Sequence, residues 1–236
     1  MAPHNDIKIL NNMTQKEESS IENMHIEIDQ KHKILTIIED LRLGRKVTNI
    51  RFDRMFPTII KKLSTVHWTP VEVARKAAEL LDTNATSKVL DIGSGCGKFC
   101  IIAALTRPGS YFGIEQRSYL SEIAKEVATD FSLENVTFIE GNMINLDWTQ
   151  FDCFYLYNPF FENRMLPFGQ IDNEIPANEI KYELYTETVC SKLAQLKTGT
   201  KVVTYHGFGS EFPESYELKQ KEFVGTDYLE LWIKTK

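Results

Sequence analysis

The stretch Val-Leu-Asp-Ile-Gly-Ser-Gly-Cys-Gly, residues Val89 to Gly97, constrains this chain more than any other part of it. Val89, Leu90 and Ile92 around one carboxylate read as a short buried strand, and the glycines that follow read as a tight turn into a helix. Glycine at every second position lets bare backbone come close to a ligand, and a helix start adds unpaired N–H donors. Side chains at Gly93, Gly95 and Gly97 would obstruct that approach. The expectation is a small-molecule site at this turn, with Ser94 inside it.

Around the turn, strand and helix patterns alternate. Strands are expected over 88–92, 111–115, 136–140, 154–157 and 201–206, and helices over 98–105, 118–131 and 178–196. Pro108-Gly109 stops the first of those helices. The end, 216–234, carries two short alternating strands around Gly225, a hairpin. Upstream, 67–81 reads as one helix with Val71, Ala74, Ala77, Ala78 and Leu81 on one face. Thr69 is its expected cap, with Pro70 at the first helical position and Glu72 three residues after Thr69. The pattern predicts an α/β fold: a doubly wound, mostly parallel seven-stranded sheet with a C-terminal antiparallel hairpin, plus an N-terminal helical extension. Three parts are expected: a flexible polar tail over 1–20, a helical and basic extension over 21–66, and the sheet domain over 67–236.

Composition narrows the class. The chain has 236 residues, 42 % hydrophobic and 25 % charged, which suits one good core and a small appendage. No apolar run approaches the roughly 20 residues of a membrane span. The first twelve residues lack the basic-then-apolar layout of a signal peptide, so a cytoplasmic location with no membrane partner is expected. Cys96, Cys100, Cys153 and Cys190 form no CxxC pair and have no His at ligand spacing, so free thiols and no metal are expected. A net charge of −6 argues against a general nucleic-acid binder, without excluding a local patch.

The spacing of the turn separates two kinds of site. A dinucleotide site uses G-x-G-x-x-G and an acid about 20 residues later. Here the spacing is G-x-G-x-G, led by Asp91, and Glu115 ends the next strand. Asp91-Ile-Gly-Ser-Gly-Cys-Gly97 resembles the first motif of the class I S-adenosylmethionine-dependent methyltransferases, a Rossmann-like family, and the resemblance runs over 67–236. It implies S-adenosyl-L-methionine as cofactor. Asp91 would orient the turn and face the positive end of the cofactor. Glu115 would take both ribose hydroxyls. Gly141-Asn142-Met143 matches the end of the third strand, where many members have Gly-Asp. Asn142 would accept from the adenine amino group, and Met143 would pack on the ring.

Tyr157-Asn158-Pro159-Phe160 falls at the end of the fourth strand, where the methyl group meets its acceptor. Asn158-Pro159-Phe160 resembles the Asn/Asp-Pro-Pro-Tyr/Phe motif of amino-methyltransferases, with one proline missing. The resemblance implies that Asn158 and the Pro159 carbonyl accept protons of the amino group and that Phe160 stacks on the acceptor. The plainer alternative is a strand-ending turn with Phe160 and Phe161 in the core. Thr69-Pro70 is similar to a segment of adenine amino-methyltransferases that approaches the cofactor's methionine end; a helix cap explains it equally. Trp68 either lines the cleft or packs as a staple.

Other features bear on the acceptor. Arg42 to Lys62 is basic, with Phe52 and Phe56 interleaved, and is either a substrate contact or a solvated face with its apolar side in the core. His206 ends the fifth strand and is either a base or a structural hydrogen-bonder. Residues 161–180 form a long loop after the acceptor motif, a lid or substrate loop. Its acids Asp172, Glu174 and Glu179 oppose a polyanion and suit a cationic lysine. The leading expectation is methyl transfer to a nitrogen of a protein side chain or nucleobase. A small-molecule methyltransferase and a non-catalytic cofactor-binding module are the alternatives, and a nicotinamide dehydrogenase fits the spacing poorly.

Overall fold

The structure is a computed structural model and describes residues 20, 24–25, 28–164 and 170–236. The expected tail therefore lies outside the described residues, apart from Ser20. Seven strands form one sheet: β1 (Lys88–Ile92), β2 (Ser110–Glu115), β3 (Val136–Glu140), β4 (Cys153–Tyr157), β5 (Lys201–Tyr205), β6 (Tyr216–Val224) and β7 (Asp227–Lys234). Their order is β3-β2-β1-β4-β5-β7-β6. The pairs among β1 to β5 are parallel, and β7 lies antiparallel between β5 and β6. The hairpin closes on Gly225, whose φ of +67° suits glycine.

Successive strand residues face opposite sides, and each side is buried. On one face Val89, Tyr111, Tyr155 and Val203 pack against α4 (Val71–Leu81), α5 (Lys98–Thr106) and α6 (Ser118–Asp130). On the other, Leu90, Ile92, Phe154 and Leu156 pack against Tyr185, Val189 and Leu193 of α7 (Glu179–Gln195). Helix α5 is apolar all round because it is sealed between sheet and α4. The strand order reverses between β1 and β4, and in open α/β sheets the crevice at that reversal takes the ligand.

The N-terminal part is helical over 28–42 (α1), Asn49–Phe52 (α2) and Thr58–His67 (α3). Ile37, Leu41, Phe52 and Ile60 join the same core as Trp68 and Val71. The two aromatic residues of the basic segment are therefore core residues: Phe52 and Phe56 are buried and cannot stack on a ligand. Its charges are partly consumed inside the protein. Arg51 and Arg45 bond Asp40 at 2.5 and 3.1 Å, and buried Lys98 bonds buried Asp53 at 2.7 Å.

Several boundaries differ from expectation for identifiable reasons. The expected helix over 67–81 is broken at 68–70. Pro70 disfavours helical backbone at Thr69, so α3 ends at His67 and α4 starts at Val71. Thr69 is not the cap: its hydroxyl meets Tyr155 Oη at 3.2 Å. The donor at the start of α4, Val71 N, instead bonds Asn49 Oδ1 of α2 at 2.7 Å. Strand β5 ends at Tyr205 because His206 turns left-handed, with φ of +60°. Asn178 is the cap of α7, not its first residue.

Candidate active site

The glycine turn is packed closely against protein on both sides. Gly93 N and Ser94 N both donate to Ile114 O at 3.0 Å, and Gly97 N donates to Ser94 O at 2.9 Å. Gly95 N donates to Glu115 Oε2 at 3.0 Å. These four N–H groups are used internally. The missing side chains make room for protein. A Cβ on Gly93 would lie 2.8 Å from Pro159 Cβ, and one on Gly95 would lie 2.5 Å from the Trp68 ring. A Cβ on Gly97 would overlap the Phe138 ring. The turn is thus a docking point for Trp68 on one side and for the Asn158-Pro159 turn on the other.

Between them lies a cleft of about 350 Å³ at the C-terminal ends of β1, β2 and β4, within the usual size of a small-molecule site. Of the residues singled out in the sequence, Gly93, Gly95, Glu115, Asn142, Met143, Asn158, Pro159 and Phe160 line it. Asp91, Ser94, Gly97, Thr69 and Pro70 are not among its lining residues. Asp91 is buried in β1 and takes the Cys100 thiol at 3.8 Å. Burial pushes its carboxyl well above the usual carboxylate range, only partly opposed by that thiol. Ser94 packs behind the turn against Gly113, and Pro70 lines a separate cavity with Asn49 and Arg75.

Glu115 is buried, and each of its oxygens accepts one backbone N–H: Gly95 N at 3.0 Å and Arg117 N at 2.9 Å. Burial raises its carboxyl above the ordinary value, and those two bonds limit the rise. A carboxylate oxygen has a second lone pair, so both oxygens can still accept. Asn142 Oδ1 caps a short turn by accepting Ile144 N at 3.0 Å, while its Nδ2 donates to Tyr185 Oη at 3.0 Å. Tyr185 Oη in turn donates to Gln116 Oε1 at 3.3 Å. Gln116 and Tyr185 were not legible as site residues. They line the cleft and fix the amide of Asn142.

Across the cleft, Asn158 follows β4 with φ of +39°, a left-handed turn that Asn tolerates better than most residues. Its N–H bonds Gly207 O at 3.1 Å, which ties this turn to the one after β5. Among the described residues nothing hydrogen-bonds the Asn158 side chain. Phe160 is 5 % exposed with its ring 5.2 Å from that of Tyr185, so it is a wall residue. Phe161 is 47 % exposed and lines the cleft. If an aromatic ring here meets an acceptor, Phe161 is the accessible one.

A buried arginine organises the loop beyond. Arg117 donates to both oxygens of Glu162 at 2.8 and 2.9 Å and to Asp172 Oδ2 at 2.9 Å. Tyr119 Oη adds a bond to Asp172 at 2.7 Å. The residue whose N–H holds Glu115 therefore also holds the two ends of the loop after the acceptor turn, and Ile171 of that loop lines the cleft. Residues 165–169, including Pro167 and Gly169 of the expected lid, lie outside the described residues.

Comparison with known proteins decides the family. Residues 83–230 match the family described as a methyltransferase domain. The chain belongs to that family. No curated protein matches this methyltransferase in sequence. Among solved structures it resembles an RNA methyltransferase from Salinibacter ruber in complex with S-adenosyl-L-homocysteine, with a TM-score of 0.51 and 24 % identity over 71 % of this chain and 94 % of that one. It also resembles TrmN from Thermus thermophilus, with a TM-score of 0.55 and 18 % identity over 73 % of this chain and 51 % of that one. A SAM-dependent O-methyltransferase from Thermotoga maritima gives a TM-score of 0.50 and 18 % identity over 76 % and 72 %. At these identities the likeness is one of fold. Among the described residues, no helix of the methyltransferase is long and apolar enough to cross a membrane.

Proposed function

We propose that this chain is an S-adenosylmethionine-dependent methyltransferase acting on a planar amino group, carried by a nucleobase or a smaller heteroaromatic molecule. The observation that supports it most is the buried carboxylate of Glu115, which ends β2 inside the cleft and keeps acceptor capacity on both oxygens. That pair of acceptors suits the two hydroxyl donors of a diol. Met143 and Ile114 offer an apolar face, and the Asn142–Tyr185–Gln116 chain offers a polar edge for a flat ring. The residues present fit the cofactor, with Asn142 Oδ1 shared between the ring and Ile144 N. When bound, S-adenosylmethionine supplies a methyl group already activated on sulfur, so the protein binds, orients and excludes water.

Asn158 and the carbonyl of Pro159 would hold the amino protons, and Phe161 rather than Phe160 would cover the acceptor ring. Trp68, Tyr157 and Phe161 give the acceptor end flat walls. Of the loop acids that suit a lysine acceptor, Asp172 is bonded to Arg117, which also holds Glu162, and Glu179 lies 3.7 Å from Arg164, so two of the three are paired within the protein. The test is incubation with methyl-labelled cofactor and cell lysate, followed by nuclease or protease. Label released by nuclease, or label in small heteroaromatic amines, agrees with the proposal. Label released only by protease refutes it. Asn158→Ala should abolish labelling while S-adenosylhomocysteine still binds.

A further inference from the structure

The mouth of the cleft holds a second pair of groups that the methyl-acceptor turn does not use. His206 lines the cleft, and its Nδ1 is paired with Asp227 Oδ2. Asp227 opens β7 and is not among the cleft-lining residues. The imidazole therefore has one nitrogen committed to a carboxylate outside the cleft. Among the described residues nothing bonds Nε2.

The pair is held from three directions. Tyr205 is buried, and its hydroxyl gathers the hairpin turn that carries Asp227. It donates to Val224 O at 2.7 Å and accepts Thr226 N and Asp227 N, each at 3.1 Å. Its ring also packs edge-on against the His206 ring, with centroids 4.3 Å apart. Tyr157 lies on the cleft side, 5.6 Å from His206 between ring centroids. Burial, with Tyr205 adding to it, pushes the Tyr157 phenol up to about 12, so Tyr157 stays neutral beside the imidazole. Finally, His206 is left-handed, and so is Asn158. Gly207 O and Asn158 N join the two turns at 3.1 Å. Of the four non-glycine residues with positive φ among the described residues, these two line the cleft, where such backbone persists because its surroundings over-determine it.

We infer that His206, oriented by Asp227, is the group that takes the proton released by the methyl acceptor, which makes the acceptor a nucleophile that carries a proton to lose. This rests on the reading of the cleft as a methyl-transfer site. The acceptor nitrogen forms its new bond to carbon with its own electron pair. Its N–H proton passes to His206 Nε2, and the resulting imidazolium is stabilised by the Asp227 carboxylate. The sulfonium cosubstrate provides the methyl carbon, and its sulfur keeps the electron pair of the broken bond. Tyr205 is a positioning residue in this arrangement: it fixes the turn that fixes Asp227.

The pairing is read without activity by long-range proton–nitrogen correlation NMR of ¹⁵N-histidine protein. Wild type should show His206 as the Nδ1–H tautomer, and Asp227→Ala should lose that preference. An Nε2–H tautomer in wild type, or no change in Asp227→Ala, overturns the inference. For catalysis, the probe is the lysate fraction that wild type labels. His206→Gln should lower kcat by about 10²–10⁴-fold, the usual range for a lost general base, with unchanged S-adenosylhomocysteine affinity and a native circular dichroism spectrum. Tyr205→Phe should lower kcat less and broaden the His206 signal. A His206→Gln enzyme with wild-type kcat overturns the inference. A wild type that labels nothing overturns the acceptor reading instead, and the tautomer still decides the His206–Asp227 pairing.

Discussion

Replacing Gly95 by alanine separates two reasons for a glycine turn. If the space beside Gly95 is there for a ligand, the variant folds normally and loses binding. If it is there for Trp68, the variant is unstable before any ligand is added. The structure assigns a size to the second effect. Gly95 has φ of +53°, and an L-residue there costs about 1–2 kcal/mol. The new Cβ would lie 2.5 and 2.9 Å from two atoms of the Trp68 ring. That ring is buried and its Nε1 bonds Ile60 O at 2.9 Å, so it cannot swing aside without losing a hydrogen bond. Overpacking of this kind costs about 1–3 kcal/mol. The two together make roughly 2–5 kcal/mol, read as a lower denaturation midpoint with an unchanged m-value. In a Trp68→Leu background only the backbone part should remain, so the double-mutant cycle should show about 1–3 kcal/mol of coupling. A Gly95→Ala protein of wild-type stability that no longer binds S-adenosylhomocysteine would refute the packing explanation.

Three further outcomes follow from the geometry. Arg117→Met leaves Glu162 and Asp172 without their cation; the cost should be about 3 kcal/mol, at the low end for a broken buried pair because both acids can return to water. It should appear as faster hydrogen exchange over 170–178, and unchanged exchange there would contradict the clamp. Phe160→Ala should destabilise by about 3–5 kcal/mol as a core truncation, whereas Phe161→Ala should leave the melting temperature alone and raise KM for the labelled acceptor. The reverse assignment of those two effects would return Phe160 to the role its sequence implied. The Asp91 carboxyl is raised by burial, so the native state holds its proton more tightly than the unfolded chain. Its contribution to stability is therefore lost as pH rises from the ordinary carboxyl value of about 3.9. Asp91→Asn should gain stability relative to wild type as pH rises above about 4, and a pH-independent difference between the two proteins would show that Asp91 ionises normally.

Local chemistry made much of the fold legible. The strand over 136–140 and the hairpin around Gly225 come out as expected, because alternation and a turn residue specify them within a few positions. The identity of the residues at strand ends was equally readable: Glu115, Asn142 and Asn158 all reach the one cleft. What could not be read depends on partners far apart in sequence. Asn49 bonds Val71 N across 22 residues, and Arg117 reaches Glu162 and Asp172 across 45 and 55. Periodicity carries no trace of such pairs. The glycine turn shows the same limit in another form: a sequence reveals that no side chain fits, but not that Pro159, Trp68 and Phe138 fill the space. Phe160 and Phe161 are adjacent and chemically identical, and only the fold tells which one is covered.

Calorimetric titration of the purified chain with S-adenosylhomocysteine tests the cofactor reading most directly. Saturable one-to-one binding is expected, weakened by about 10–100-fold in Glu115→Ala, the loss of charge-assisted hydrogen bonds to a ribose. NAD should give no heat. Absence of S-adenosylhomocysteine binding, or equal affinity in Glu115→Ala, would contradict the assignment of this cleft.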